Sequence, residues 1–231
     1  MKAKKTLMTI AMALLLVAVT IGGTVAYMKD HTNTVKNTFT VGNVDIKLDE
    51  ADIEIAEDGK VTALKTRNEK GNEYKTVYPG FTYPKDPTVT VLHPSEKSWV
   101  FVKVEVNKDA ALQLWNNVTG EGAKDIASAI AAAEALNTGY DAETWVPLDG
   151  TLKLNGDKVE CVLAYKEPVE KTTEDVVLPA VMKQLVIPAD WDYEKIKGFK
   201  DGSLDFTAYA IQWQGLATKE DAAKALGLLG E

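Results

Sequence analysis

The chain has 231 residues, 26 of them basic and 34 acidic, and a formal net charge of −8. That acidic balance favours solubility and works against binding to nucleic acid or to anionic lipid. Hydrophobic residues make up 45% of the chain, enough for a packed core, which excludes disorder throughout.

Lys2, Lys4 and Lys5 open the chain, Leu7 to Ile21 is apolar apart from Thr9 and Thr20, and Gly22, Gly23, Thr24 and Ala26 follow as small residues. Positive start, apolar middle and small-residue end are the order of a secretory signal. The apolar middle, about 15 residues, falls short of the roughly 20 that span a bilayer as a helix. The alternative is an uncleaved membrane anchor. Cleavage is expected after Ala26, with Thr24 and Ala26 as the small residues before the cut and Tyr27 as the first mature residue. Loss of the three lysines leaves 23 basic against 34 acidic residues, a net charge of −11. Residues 27–231 are expected to form a single secreted domain.

Tyr27 to Lys36 is polar and is expected to be mobile or to pair late. Phe39 and Val41, then Val44, Ile46 and Leu48, alternate with polar residues, and the phase changes at Gly42-Asn43. That predicts a strand with a bulge at the glycine. Asp52 to Ile55, the turn residues Glu57-Asp58-Gly59, and Lys60 to Leu64 predict a hairpin. Residues 65–75 are charged and predict a loop. Pro84 and Pro87 keep the next piece extended as far as Val89 to Leu92. From Trp99 to Val106, the valines at 100, 102, 104 and 106 alternate with Trp99, Phe101, Lys103 and Glu105. This is the pattern of a half-buried antiparallel strand.

Lys124 to Asn137 is rich in alanine and predicts a helix inserted between strands. Asn155-Gly156 lies between apolar alternations, a hairpin signal. Val159, Cys161, Leu163 and Tyr165 share one strand face. Short strands are expected at 176–178 and 185–187, a helical turn over 191–196 and a last strand from Leu204 to Trp213. Thr218 and Asp221 have the spacing of a helix N-cap and its N3 carboxylate, so Lys219 to Leu229 is expected to form a terminal helix. Eight to ten short strands in total favour a mainly β fold, an antiparallel β-sandwich of jelly-roll or immunoglobulin-like type with an inserted helix and a short C-terminal helix.

The run GGTVAYMKD followed by NTFTVGNVDIKLDE resembles the N-terminus of the TasA/camelysin family of Gram-positive bacteria. Gly22, Gly23, Thr24, Ala26, Tyr27 and Asp30 match the first part of the family pattern. Asn37, Phe39, Gly42, Val44 and Ile46 match the second. Weaker similarity continues at 76–91, 178–188 and 207–216. The resemblance implies processing by a signal peptidase of the SipW type and a secreted subunit of extracellular-matrix or biofilm fibres. It also implies partners that are further copies of the chain or other matrix subunits. Contact with the membrane would come only through the signal peptide.

Residues carrying chemistry are few. The only histidines are His31 and His93, and no H-E-x-x-H or G-x-S-x-G occurs. Camelysin-like metallopeptidase activity would need a site assembled from these histidines and scattered carboxylates. No motif indicates a catalytic residue, a cofactor or a metal. The single cysteine excludes an internal disulfide, and a place as a small buried hydrophobe fits Cys161 better than a reactive thiol or an intermolecular bridge. The acidic runs 49–52 and 57–59 lack calcium-loop spacing. Trp99, Trp115, Trp145, Trp191 and Trp213 could form a glycan platform of an adhesin-like or accessory binding module, or could pack in the core.

The chain is therefore expected to be a structural protein and not an enzyme. Residues 27–38 would be the donor segment of an N-terminal strand, with Asn37, Phe39, Val41, Val44 and Ile46 as the candidate polymerisation strand.

Overall fold

The computed structural model describes residues 29–31, 43–74, 77–107, 141, 143–156, 158–171, 173–187, 189–192, 194, 196 and 203–230. Twelve strands follow in chain order: β1 (Lys29–His31), β2 (Asp45–Ile55), β3 (Val61–Asn68), β4 (Thr82–Pro84), β5 (Thr88–Leu92), β6 (Ser98–Asn107), β7 (Trp145–Pro147), β8 (Lys153–Asn155), β9 (Lys158–Tyr165), β10 (Val176–Val177), β11 (Gln184–Val186) and β12 (Leu204–Gln212). Among the described residues the last element is a helix, α1 (Lys219–Ala225).

The strands pair antiparallel into a large sheet, β1-β12-β6-β9-β7 with β8 beside β9, and a second sheet, β10-β5-β2-β3; β11 and β4 form a separate ribbon. Two sheets facing one another make this a β-sandwich.

The alternation along each strand puts the same kind of residue on the inner face. Ile46 sits opposite Val91 in the second sheet, and Val102 lies between Ala208 and Leu163 in the large one. These residues join Val44, Val89, Val100, Ala210 and Leu178 in one buried core between the sheets. Small alanines on β12 beside valines on β6 let the facing layers interdigitate. Trp145 is fully buried in this core, and its indole N–H donates to the Pro179 carbonyl at 2.9 Å.

β6 differs from the expected half-buried strand. Ser98 through Val102 is buried on both faces, because a second core covers the outer face of the large sheet. There Trp99, Phe101, Val162, Ala164 and Ile211 pack under Ala222 and Ala223 of α1 and the leucines that follow it. The Trp99 indole N–H donates to the Leu216 carbonyl at 3.1 Å, tying the chain leading into the helix to the sheet. Thr218 caps α1 by accepting from the Asp221 N–H at 3.1 Å. The helix ends at Ala225, short of the expected Leu229. Gly227 takes φ +73°, and the N–H groups of Gly227 and Leu228 donate back to the Lys224 and Ala223 carbonyls, a Schellman closure. A third, smaller core gathers Val61, Tyr83, Ile187 and Trp191 beneath the β4–β11 ribbon.

Other expectations shift by a few residues. β3 runs to Asn68, into the charged stretch expected to be a loop, because Arg67 and Asn68 find side-chain partners on β2. The irregularity in β2 falls between Ala51 and Ile53, whereas Gly42 lies outside the described residues. In the β8–β9 hairpin, Asn155 pairs with Lys158, so Asn155 ends the strand and the turn begins at Gly156. The helical turn expected over 191–196 is present in the described residues: Glu194 and Ile196 are helical and the Ile196 N–H donates to the Asp192 carbonyl at 3.1 Å. The helix expected over 124–137 lies outside the described residues.

Trp145→Ala removes the largest fully buried side chain of the first core and is expected to cost about 3–5 kcal/mol in a denaturant-unfolding measurement. Thr218→Ala is expected to cost about 1 kcal/mol in the same assay, because only the cap of α1 is lost.

Candidate functional site

The edge of the large sheet is where the N-terminal segment meets the domain. β12 pairs with β6 along its whole length, from Leu204 opposite Val106 to Gln212 opposite Ser98. On its other side β12 carries β1, in a register that sets Lys29 opposite Ile211, Asp30 opposite Ala210 and His31 opposite Tyr209. β1 is therefore the outermost strand of this sheet and is held by three residue pairs, whereas β6 holds nine. Main-chain hydrogen bonds at a sheet edge do not depend on side-chain identity, so any extended segment in this register could make them. Asn37, Phe39 and Val41 lie outside the described residues, as do Thr24, Ala26 and Tyr27. Val44 and Ile46 fill the core of their own domain. Any part of the candidate strand free to be donated therefore precedes them.

The other chemical candidates disperse. The His93 N–H donates to Asp175 Oδ1 at 2.7 Å beside β10, while His31 belongs to β1 at the edge of the other sheet. Among the described residues, no group of three or more His, Cys, Asp or Glu side chains is placed to hold a metal ion. Cys161 packs against the first core from β9, and burial pushes its thiol up to about 12, far from the range of a reactive thiolate. Trp99, Trp145 and Trp191 are buried core residues. Trp213 is 39% exposed, with Lys97 Nζ 4.5 Å from its ring centre. Trp115 lies outside the described residues.

The densest polar cluster lies where β2, β3 and the start of β5 meet. Arg67 of β3 reaches Asp49 Oδ1 at 2.6 Å and Asp86 Oδ2 at 2.7 Å, and donates to the main-chain carbonyls of both. Lys47 Nζ lies 2.7 Å from Asp49 Oδ2. Burial pushes the Asp49 carboxyl up, but the hydrogen bonds and charges of Lys47 and Arg67 outweigh it and hold the group below its ordinary value. The network fastens the β2–β3 hairpin to the strand beside it. Sequence reading missed it because its members stand in three separate stretches, each of which looks like a solvated charged surface.

Arg67→Met would leave Asp49 buried with half of its support, an expected loss of about 3 kcal/mol at pH 7. A carboxyl lowered on folding contributes stability above its unfolded pKa, about 3.9, and loses it as pH falls through the folded value. The gap between wild type and variant in urea titrations should therefore narrow below about pH 4, where protonated Asp49 no longer needs the guanidinium.

Residues 2–67 match a family model described as camelysin metallo-endopeptidase. No curated protein and no solved structure matches the chain. Among described elements, the matched stretch takes in β1, β2 and all but the last residue of β3. Through this N-terminal part the chain is similar to the camelysin family, which also includes TasA.

Proposed function

We propose that the protein is a secreted structural subunit of an extracellular matrix or biofilm, joined to its neighbours by addition of an N-terminal strand. The similarity of residues 2–67 to the family that includes TasA supports the matrix role at the level of the family. The observation that carries the joining step is β1, a strand from the N-terminal segment lying on the outer side of β12 through three residue pairs. A neighbour's copy of that segment can make the same main-chain bonds, so exchange conserves the pairing while linking two subunits. The contact runs head to tail and does not close on itself, so it propagates into a filament.

The leader sequence supports export, removal of residues 1–26 by a SipW-type peptidase and a location outside the cell. The partners are then further copies of this chain and other matrix subunits. Neither nucleic acid nor a cofactor has a role in this reading.

Negative-stain electron microscopy of residues 27–231 beside residues 39–231 tests the proposal. Filaments are expected from the first and monomers from the second; filaments from both would refute strand donation and leave the matrix role. The description of the matching family favours a second reading, a metallo-endopeptidase. On the structural reading, casein incubated with residues 27–231 should stay intact. Cleavage abolished both by chelator and by His93→Ala would establish the peptidase.

A further inference from the structure

Next to the Arg67 network lies an arrangement that the assembly reading does not use. Glu50 of β2 is 5% exposed, and its two carboxylate oxygens have different partners. Oε2 lies 2.6 Å from Lys85 Nζ, on a side chain that is 11% exposed. Oε1 accepts from the Asn72 side-chain Nδ2 at 2.9 Å and from the Asn72 backbone N–H at 2.7 Å. Asn72 Nδ2 also donates to the Ala51 carbonyl at 2.7 Å, which fixes which end of the carboxamide faces Glu50. Asn68 Nδ2 points at the other end, 3.5 Å from Asn72 Oδ1. One carboxylate thus bridges an amine and a carboxamide.

Aromatic rings and a close backbone surround the cluster. Lys85 Nζ stands 5.6 Å from the centre of the Phe206 ring. Gly71 lies close enough to Glu50 that a Cβ there would come to 3.5 Å from Oε1. Tyr74 donates its hydroxyl to the Pro84 carbonyl and sets its ring edge-on to Tyr83 at 5.6 Å. Burial and then the Glu50 charge raise the Tyr74 hydroxyl above its ordinary value.

We propose that Lys85 and Asn72 join through an intramolecular isopeptide bond formed without an external catalyst, with Glu50 carrying the proton. A carboxylate that holds an amine on one oxygen and a carboxamide on the other is placed to relay a proton from the first to the second. Glu50 Oε2 takes a proton from Lys85 Nζ, and the freed lone pair attacks Asn72 Cγ, as buried lysines do with carbonyl carbons. Asn68 Nδ2 faces the oxygen on which charge develops. As the C–N bond to Nζ forms, Glu50 supplies a proton to Asn72 Nδ2. The Cγ–Nδ2 bond breaks and ammonia leaves, taking up the remaining proton as ammonium. The products are a secondary amide between the two side chains and one ammonium ion; nothing is oxidised or reduced. Holding the amine and the carboxamide on one carboxylate converts a slow bimolecular aminolysis into an internal step.

Among the described residues the same residue types meet once more and supply a control. Asn155 Nδ2 donates to Glu160 Oε1 at 2.5 Å, and Lys153 Nζ lies 3.8 Å from Glu160 Oε2. That lysine side chain is 61% exposed, and Lys103, 23% exposed, also stands off at 3.8 Å from Oε1, so neither amine is in direct contact with the carboxylate. No bond is expected there.

Peptide mapping of the folded full chain is the test. Trypsin should release residues 71–75 bridged to residues 76–97, uncut at Lys85 and lighter than the two linear peptides together by one ammonia. Lys85→Arg keeps a cation beside Glu50 and should give only linear peptides, while Glu50→Gln should lose the bridge with circular dichroism unchanged. Linear 71–75 and 76–85 as the main products of folded wild type would overturn the proposal. So would ammonia loss mapped to Asn155, or full bridging in Glu50→Gln. Should Glu50→Gln fail to fold, wild type and Lys85→Arg decide the matter between them.

Discussion

Burial of both faces of β6 is the constraint on which the rest of the structure depends. Its valines face the second sheet and build the first core, while Trp99 and Phe101 face outward and would meet water without α1. Exposing two large aromatics side by side would be costly. The helix therefore completes the sheet and is more than an appendage to it. Its alanines allow the close approach, and the Leu216 carbonyl joined to the Trp99 indole sets where the chain crosses over. With both faces covered around β6, the sheet offers partners mainly its edges. That is the geometric reason to look for association at β12 and not on a broad apolar surface.

The second sheet is held differently. Its edge strand β3 is exposed along most of its length, and charged side chains there discourage pairing with another chain. What keeps β3 in place is a set of buried carboxylates on β2, each with partners from β3 or from the segments around it. Asp49 serves Arg67 and Lys47, and Glu50 serves Lys85 and Asn72. Adjacent residues of a strand point to opposite faces, so these two carboxylates support the hairpin from both sides of one strand.

Much of this was legible in the residues. Period-two alternation located the strands that build the first core, and the Thr218–Asp221 spacing located α1, since both signals are local. The outer-face burial of β6 was not legible, because Trp99 and Phe101 are covered by a helix more than a hundred residues downstream. The second half of β3 looked like a loop because a charged run declares nothing about its partners. For the edge site, sequence pointed to the N-terminal segment, but which strand receives β1 depends on strand order, which no local pattern encodes. The clustering of Glu50, Asn72 and Lys85 was hidden for the same reason.

The direction of β1 has a mechanical consequence. Because β1 runs antiparallel to β12, its leading end, Lys29, lies beside Ile211, close to where the chain turns toward α1. A pull on the leading end of β1 against the helix end of the domain loads one pair of bonds at a time, and the strand peels away like a zipper. A pull against the opposite end of β12 loads all three pairs together in shear. The inter-strand bonds lie across the strands in either case, so the direction of the load sets the force that detaches this edge.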